Sequence, residues 1–284
     1  MLLYLTTTGA PLAWRMGYTR ELVGIRARWK RCRDAWSPHL TATRNALIQS
    51  AMACHPRRRA LLLGAGALHD IPLAELATHF TQVDLVDLIF LPHTRWQAYR
   101  LGNVRCIVHD VTDALTGDLL ADRPVPRRFT DEPDIDWVAS VNLWSQLSLL
   151  PVQALRQRHP DWPEVAMHCV ARRLMQRHLD YLMCFSAPVC LIADRLQVSY
   201  QASGEVLEQS DFGSQFPLLQ KAQQVWRWDV APLGEAGPHR GMWHEVVVLD
   251  THFRPKEAIK MKDAMPLATR HALTSDLKSG HYPQ

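Results

Sequence analysis

The chain has 284 residues, of which 47% are hydrophobic and 21% are charged, and it carries a formal net charge of +4. This length and composition predict a globular protein of one α/β domain with an appendage, and the weak positive charge alone does not argue for a nucleic-acid partner. No apolar run reaches the length of a membrane span and the amino terminus lacks the basic region of a signal peptide, so we expect a cytoplasmic protein without a membrane partner.

The first predicted elements are two helices, over residues 18–33 and 40–53. In the first helix, apolar side chains recur at spacings of three and four residues, which is the pattern of one buried helix face. These apolar residues are Leu22, Ile25, Trp29 and Cys32. Between positions 15 and 33, seven arginines and lysines stand against the single acid Glu21. We interpret residues 1–58 as a helical cap with a solvated basic face, and docking of a nucleic acid on that face is the alternative.

From residue 59 the pattern changes to short runs of Val, Leu and Ile that alternate with helix-like segments. The runs are RALLLGAG, QVDLVDL, VRCIVHDV, DWVASVNLW and APVCLIADRL. This alternation predicts a parallel sheet with right-handed crossovers. The next two runs, QQVWRWDVAP and MWHEVVVLDTH, lie too close together for a helical crossover and predict an antiparallel hairpin. We therefore expect a core over 59–255, a weakly patterned tail over 256–284, and long loops over 122–134 and 201–223 that cover the site.

The glycine turn in LLLGAGALHDIPL, residues 61–73, is the first candidate binding feature. In an open parallel sheet the ligand lies beyond the carboxyl ends of the strands, and glycines in the first turn let the backbone approach it closely. Gly64 and Gly66 occupy that turn. Asp87 ends the second strand, where an acid accepts hydrogen bonds from ribose hydroxyls, and Asp110 ends the third, where a carboxylate can meet the amine of an adenine. The alternative for either aspartate is a polar strand end or a helix cap.

The same turn argues against a dinucleotide. Continuing the spacing G-x-G-x-x-G from Gly64 places His69 where the third glycine would stand, and this removes the seat of a pyrophosphate. A terminal antiparallel hairpin is also atypical of dinucleotide-binding domains. We expect a ligand that contains ribose and adenine but no pyrophosphate.

These features resemble the class I S-adenosylmethionine-dependent methyltransferase family over about two thirds of the chain. LLLGAGA resembles the first motif of the family, Asp87 its ribose-binding acid, VHDV with Asp110 its adenine-contacting strand end, and WVASVNLWSQLSLLP its fourth motif. The resemblance implies an α/β fold with a seven-stranded, mostly parallel, doubly wound sheet and a terminal antiparallel hairpin, preceded by the helical cap.

The resemblance also implies S-adenosylmethionine as the cofactor and a set of cofactor-binding residues. These are Gly64, Ala65, Gly66, His69, Asp70, Asp87, Leu88, Asp110, Val111 and Asn142. The turn departs from the family pattern at two positions, because Leu63 replaces an acid and Leu68 replaces the last glycine. We expect His69 or Asp70 to substitute for the lost contacts with the methionine end of the cofactor.

Polar side chains at later strand ends are the candidates for contact with the methyl acceptor. Three of them follow the fourth strand at helical spacing, one ends the fifth strand, and one lies in the cap. The predicted acceptor-contacting residues are Ser145 and Gln146, which follow Asn142, together with Asp194 and His39. A helix cap or an ion pair with Arg195 is the alternative for Asp194, and a structural role is the alternative for His39.

The predicted function is methylation of a small or medium-sized metabolite. Transfer from a sulfonium depends chiefly on holding the acceptor in line, so the sequence need not contain a triad, and no catalytic residue is assigned. Six scattered cysteines without metal-ligand spacing predict reduced thiols and no metal site. Two alternatives stay open: an RNA or protein methyltransferase that docks its substrate on the basic helix, and a non-catalytic protein that keeps the fold as a binding or scaffolding module.

Overall fold

A computed structural model describes residues 8–9, 11–113, 115 and 124–251. The tail predicted for 256–284 lies outside the described residues, as do the first two residues of the proline-rich loop predicted for 122–134. In the described part of the chain, no helix is long and apolar enough to cross a membrane. The same residues contain no cluster of three or more side chains that could hold a metal ion.

The centre of the molecule is a mixed β-sheet. Its strands are β2 (Arg59–Leu63), β3 (Gln82–Asp87), β5 (Val104–Val108), β6 (Ile135–Val141), β7 (Val189–Gln201), β8 (Val206–Asp211), β9 (Gln224–Ala231) and β10 (Arg240–Thr251). Seven of them follow the order β5-β3-β2-β6-β7-β10-β9, in which the first five are parallel and β10 runs antiparallel between β7 and β9. The predicted fold, a mostly parallel sheet that ends in an antiparallel hairpin, is confirmed.

Helices cover both faces of the sheet and precede it, as expected for parallel strands joined by crossovers. They are α1 (Pro11–Met16), α2 (Tyr18–Arg31), α3 (Arg33–Met52), α4 (Leu73–His79), α5 (Pro92–Leu101), α6 (Leu149–Arg158), α7 (Glu164–Leu182) and α8 (Phe212–Gln215). The second cap helix begins at Arg33 and not at residue 40, because Pro38 lies inside the helix and does not precede it. Pro38 is the sixth residue of this helix, so it lacks the N–H that would donate to the carbonyl of Asp34, and the helix continues through this position.

Residues 201–223 contain a strand where the sequence predicted a loop. Strand β8 pairs antiparallel with the outer half of β7, from Leu196 opposite Asp211 to Tyr200 opposite Val206. Five of its six residues are exposed, so the apolar alternation that signals a strand is absent. A further two-residue strand, β1 (Thr8–Gly9), pairs with β4 (Ile89–Phe90) directly after the end of β3.

Two ionic groups at the amino ends of the strands are buried. Arg59 at the start of β2 lies 2.6 Å from Asp84 of β3, and their side chains are 10% and 0% exposed. Arg105 of β5 contacts the same carboxylate from a more exposed position, at 2.9 Å. Burial alone would raise the pKa of Asp84, but the two arginines hold it below its usual range. This pairing joins three neighbouring strands at the edge opposite the glycine turn.

Candidate functional site

The glycine turn and the end of β3 meet at the carboxyl edge of the sheet. The backbone N–H of Gly66 donates to Oδ2 of Asp87 at 2.8 Å. A Cβ atom on Gly66 would lie 2.8 Å from the carbonyl oxygen of Ile89 and 3.0 Å from Oδ2 of Asp87, so no side chain fits there. Gly64 has φ +85° and faces Val141 and Leu143 at the end of β6 with the same tightness. Both glycines are therefore required by the close approach of neighbouring strand ends, while the predicted close approach of a ligand to this turn stays a prediction.

The Asp87 carboxylate accepts hydrogen bonds from the backbone N–H groups of Gly66 and Ile89. Burial raises the pKa of Asp87 to about 6, although backbone N–H groups of Gly66, Ile89 and Leu88 oppose the shift. A ligand that brings hydroxyl donors to this carboxylate would replace the water it has lost. A ribose with two adjacent hydroxyls supplies such donors.

Two residues without the freedom of glycine adopt left-handed backbone conformations beside this turn. Leu68 has φ +57°, at the position where the resembling family has its last glycine, and Asn142 has φ +48° at the end of β6. Left-handed conformations cost an ordinary residue of order 1–3 kcal/mol and cluster at functional sites. The turn therefore keeps a left-handed residue at its last position even though leucine replaces glycine.

Asn142 connects the turn to the cap. Its Nδ2 lies 2.7 Å from Oδ2 of Asp70 and 3.3 Å from Nε2 of His39. Its Oδ1 is buried without a hydrogen-bond partner. Burial raises the pKa of the Asp70 carboxyl above its usual range, while Asn142 and the charge of Arg44 oppose the shift. The structure thus brings Asp70 and Asn142 together and leaves one buried acceptor unsatisfied at the site.

His69 lies under the basic helix. Its ring stacks on Trp29 with centroids 4.4 Å apart, and the guanidinium of Arg44 donates to its backbone carbonyl. Burial, helped by electrostatic interaction with His93, Arg26 and Arg44, lowers the pKa of His69 to about 4. Its Nε2 is buried without a partner. The imidazole is therefore neutral at pH 7.

Asp110 reaches the end of β5 but already has local partners. Its Oδ1 accepts from the backbone N–H of Thr112 at 2.9 Å and from the Thr112 hydroxyl at 2.7 Å. Its Oδ2 accepts from the backbone N–H of Leu115 at 2.8 Å. These contacts lie within the turn that follows β5 and fit the alternative of a polar strand end for Asp110, so a contact of its side chain with adenine stays a prediction. The neighbouring Val111 is buried, and Ala65 is buried inside the glycine turn.

A second polar cluster lies beyond the end of β6 and beside the middle of β7. Asp194 is the sixth of the thirteen residues of β7 and does not end this strand as the sequence predicted, because β7 continues by pairing with β8 and β10. Ser145 donates to Oδ2 of Asp194 at 2.6 Å, and Nδ1 of His244 lies 3.2 Å from Oδ1 of the same carboxylate. Burial alone would raise the pKa of Asp194, but His244 and the hydrogen bonds from Ser145 and Gln197 lower it overall. The ion-pair alternative for Asp194 is wrong, because Arg195 pairs with Glu245 instead, at 2.7 Å.

His39 joins the two clusters from the cap. It is 1% exposed, its Nδ1 accepts from Nε1 of Trp226 at 3.0 Å, and its ring stacks on Trp228 at 3.9 Å. Burial lowers the pKa of His39 to about 3. Gln146 takes no part in either cluster, since its side chain is exposed and donates to the backbone carbonyl of Asn142 at 2.8 Å.

Sequence reasoning did not assign His244 to the site. The residue lies on β10 opposite Gln197 of β7 and Trp228 of β9, beyond the level at which β7 stops pairing with the parallel strand β6. Its only signal in the sequence is a histidine near the start of a strongly apolar strand. Trp226 and Trp228 alternate on β9 and therefore share one face, and both rings pack against His39 of the cap.

No family model and no curated protein matches the sequence. Three similar solved structures are a 1,6-didemethyltoxoflavin-N1-methyltransferase, an N-methyltransferase NodS and a DhpI-SAM-HEP complex. The first, from Burkholderia thailandensis with bound 1,6-didemethyltoxoflavin and S-adenosylhomocysteine, is 13% identical over 84% of this chain and 91% of that chain, with a TM-score of 0.37. NodS from Bradyrhizobium japonicum, in complex with S-adenosylhomocysteine, is 11% identical over 72% and 84%, with a TM-score of 0.32. The DhpI complex is 13% identical over 84% and 99%, with a TM-score of 0.39. At these identities and scores the likenesses carry no argument about the site.

Proposed function

We propose that the chain is an S-adenosylmethionine-dependent methyltransferase that acts on a small or medium-sized metabolite. The observation that carries the proposal is the contact between Gly66 and Asp87, at 2.8 Å, on the carboxyl edge of a sheet ordered β5-β3-β2-β6-β7-β10-β9. It joins a glycine turn to a carboxylate that needs hydroxyl donors, in the place where an open α/β sheet binds a nucleoside.

The loop after the turn supports S-adenosylmethionine over a dinucleotide. In dinucleotide-binding domains the helix begins within the glycine turn, and its amino terminus binds the pyrophosphate. Here α4 begins at Leu73, well past Gly66, and it has only seven residues. The intervening loop instead presents Asp70, paired with Asn142. An acid and an amide suit the amino-acid end of S-adenosylmethionine better than they suit a phosphate.

The residues of this chain bind and orient the two reactants. When bound, S-adenosylmethionine supplies a methyl group on a sulfonium. Asp87 would hold the ribose, the 64–66 turn would line the adenosyl part, and Asp70 with Asn142 would hold the methionine end. Ser145, Asp194 and His244 would face the acceptor. The Asp194 carboxylate would orient the His244 imidazole, which could then take a proton from an acceptor that must lose one.

The buried position of the second cluster favours a small acceptor over a macromolecule. Ser145, Asp194 and His244 are each less than 9% exposed. The nucleic-acid alternative needs an aromatic ring on the basic helix that is free to stack on a base. The ring of Trp29 already stacks on His69, and the guanidinium carbon of Arg33 lies 4.7 Å from its centroid. Salt-sensitive RNA binding that is lost when Arg26 and Lys30 are neutralised would favour that alternative.

Thermal unfolding with a panel of nucleotides tests the proposal. S-adenosylmethionine and S-adenosylhomocysteine at about one hundred times their Kd should raise the unfolding midpoint, since ligand binding at that excess stabilises by about 2.7 kcal/mol. NAD and ATP at the same concentration should not. A midpoint that moves with NAD alone would favour a dinucleotide enzyme. A midpoint that moves with none of the four would favour the scaffolding alternative.

A further inference from the structure

Helices α1 and α2 lie across the whole candidate cofactor cleft. At one end, Gly9, just before α1, packs so tightly on β4 that a Cβ atom would meet the carbonyl oxygen of Leu88 at 2.8 Å. Further along, Tyr18 lies near Asp110 and Asp87. Burial of the Tyr18 phenol raises its pKa most, and the negative charges of these two carboxylates raise it as well. At the other end, Trp29 stacks on His69. The cover therefore passes over the ends of β3 and β5 and the loop after the glycine turn.

The cover is attached by few buried contacts. Of the fourteen residues in α2, only Thr19 is fully buried, whereas the next helix, α3, buries eight of its twenty. Elements with little buried apolar surface open at low free energy. Three unsatisfied buried polar atoms lie on the cover's side chains: Trp14 Nε1, Thr19 Oγ1 and Arg28 Nε, although Arg28 Nε also faces a carboxylate at 3.6 Å.

Both ends of α2 have a backbone suited to a hinge. Gly17, between α1 and α2, has φ +94° and open space where a Cβ would lie. Cys32, between α2 and α3, leaves the helical conformation for one residue, with φ −108° and ψ +30°. Hinges of this kind absorb dihedral changes at element ends while the elements stay rigid.

An ion-pair cluster ties α2 to the far side of the molecule. Glu235, in the loop between β9 and β10, accepts from Nε of Arg31 at 3.1 Å and lies 3.6 Å from Nε of Arg28. The Glu235 side chain is 17% exposed. Hydrogen bonding to Arg31 lowers the pKa of Glu235, so the group is charged across the neutral range. These contacts join α2 to an element with which it shares no apolar core residue among those described.

We propose that α2 forms a gate over the cofactor cleft and that Glu235 is its latch, bound by Arg28 and Arg31. The inference rests on the proposed function for the identity of the ligand. Gly66 and Asn142 are buried, and in this proposal a ligand reaches them when the gate opens about Gly17 and Cys32. The closed gate excludes water from the site and covers the bound ligand.

The experiment is stopped-flow tryptophan fluorescence of S-adenosylhomocysteine binding to the full chain and to Glu235→Gln. If the latch holds the gate shut in both free and bound protein, its loss speeds association and dissociation by the same factor, roughly two- to fivefold for an exposed ion pair, and leaves Kd unchanged. Raising the salt concentration should speed the wild type toward the variant and change the variant little. Glu164→Gln, which breaks the exposed pair with Arg156, is the matched control and should leave both rates unchanged.

Charge reversal provides a rescue. Arg31→Glu alone should speed both rates, and Arg31→Glu combined with Glu235→Arg should return them toward the wild type. Unchanged rates in Glu235→Gln would overturn the proposal, and so would a variant in which only dissociation changes.

If the wild type binds no S-adenosylhomocysteine, the proposed function fails, and hydrogen exchange of the ligand-free protein still tests the gate. Backbone amides of Tyr18–Arg31 should then exchange faster in Glu235→Gln, with those of Glu164–Leu182 unchanged, whereas equal exchange in both proteins would refute the latch.

Discussion

The side-chain amide of Asn142 lies 2.7 Å from the carboxylate of Asp70, across the carboxyl edge of the sheet from the glycine turn. In this chain Leu63 stands where the resembling family has an acid, and Asp70 offers an acid seven positions later. The buried, unsatisfied Oδ1 of Asn142 adds a second acceptor beside it. Two acceptors at one point suit the ammonium group of an amino acid.

Asp70→Asn should therefore weaken binding of S-adenosylhomocysteine while sparing 5′-methylthioadenosine, which lacks the amino-acid end. The loss of one charge-assisted hydrogen bond predicts about a tenfold rise in Kd for the first ligand. Calorimetric titration with both ligands measures the two effects. Asp229→Asn, an exposed carboxylate on β9, is the control. Equal weakening of both ligands would show that Asp70 acts on the fold of the turn and not on the methionine end.

The left-handed backbone of Leu68 predicts an unusual order of stabilities. Replacing leucine by alanine or by glycine removes the same packing against the core, but only glycine adopts φ +57° without cost. Leu68→Gly should therefore be more stable than Leu68→Ala by about 1 kcal/mol, the reverse of the order at most positions. Urea unfolding of the two variants gives the difference. A more stable alanine variant would mean that the turn relaxes out of this conformation.

The sequence predicted correctly those features that depend on residues close together in the chain, such as the positions of apolar strands. Apolar runs predicted the seven main strands, and the end of the second run correctly placed Asp87 at the last position of β3. Strand β8 was missed because an exposed strand has no apolar period. His244 was not assigned because its approach to Asp194 depends on strand β10 inserting between β7 and β9, a long-range pairing that leaves no local signal. The exposed side chain of Gln146 likewise depends on the exact turn after Asn142.

Breaking the buried ion pair at the amino edge should cost far more than breaking its exposed neighbour. Asp84→Asn removes the fully buried partner of Arg59 and leaves that guanidinium only the more exposed Glu132 and Asp134, a loss that should cost up to about 3 kcal/mol. Arg105→Gln removes a partner whose side chain is 54% exposed, and it should cost less than about 1 kcal/mol. Equilibrium unfolding in urea measures both. Similar costs for the two variants would contradict the burial of the Arg59 pair.

Two neutral buried histidines should make the protein sensitive to acid. Burial lowers the pKa of His39 and of His178 to about 3, whereas the unfolded chain protonates both near 6.5. Their contribution to stability is complete above pH 6.5 and is lost as the pH falls toward 3, by up to about 1.4 kcal/mol per pH unit for each group. Asp87 acts in the opposite direction between about pH 4 and 6, because its raised pKa lets the folded chain bind a proton first.

His178→Gln isolates one of these histidines, since it removes a titrating group while keeping a polar side chain toward Ser140, which lies 2.9 Å away. The free energy of unfolding, measured from pH 7.5 to 4.5, should fall less steeply in this variant than in the wild type. His168→Gln, at an exposed position of α7, should leave the slope unchanged. Parallel slopes in the wild type and His178→Gln would mean that His178 is protonated in the folded protein.

Calorimetric titration of the wild type and of Asp87→Ala with S-adenosylmethionine and S-adenosylhomocysteine tests the central claim most directly. We predict micromolar binding of both ligands to the wild type and a loss of at least about tenfold in the variant, because the ribose hydroxyls lose their carboxylate. The variant must remain folded by circular dichroism. Absence of binding to folded wild type, or binding that the variant retains in full, would contradict a cofactor site at Asp87.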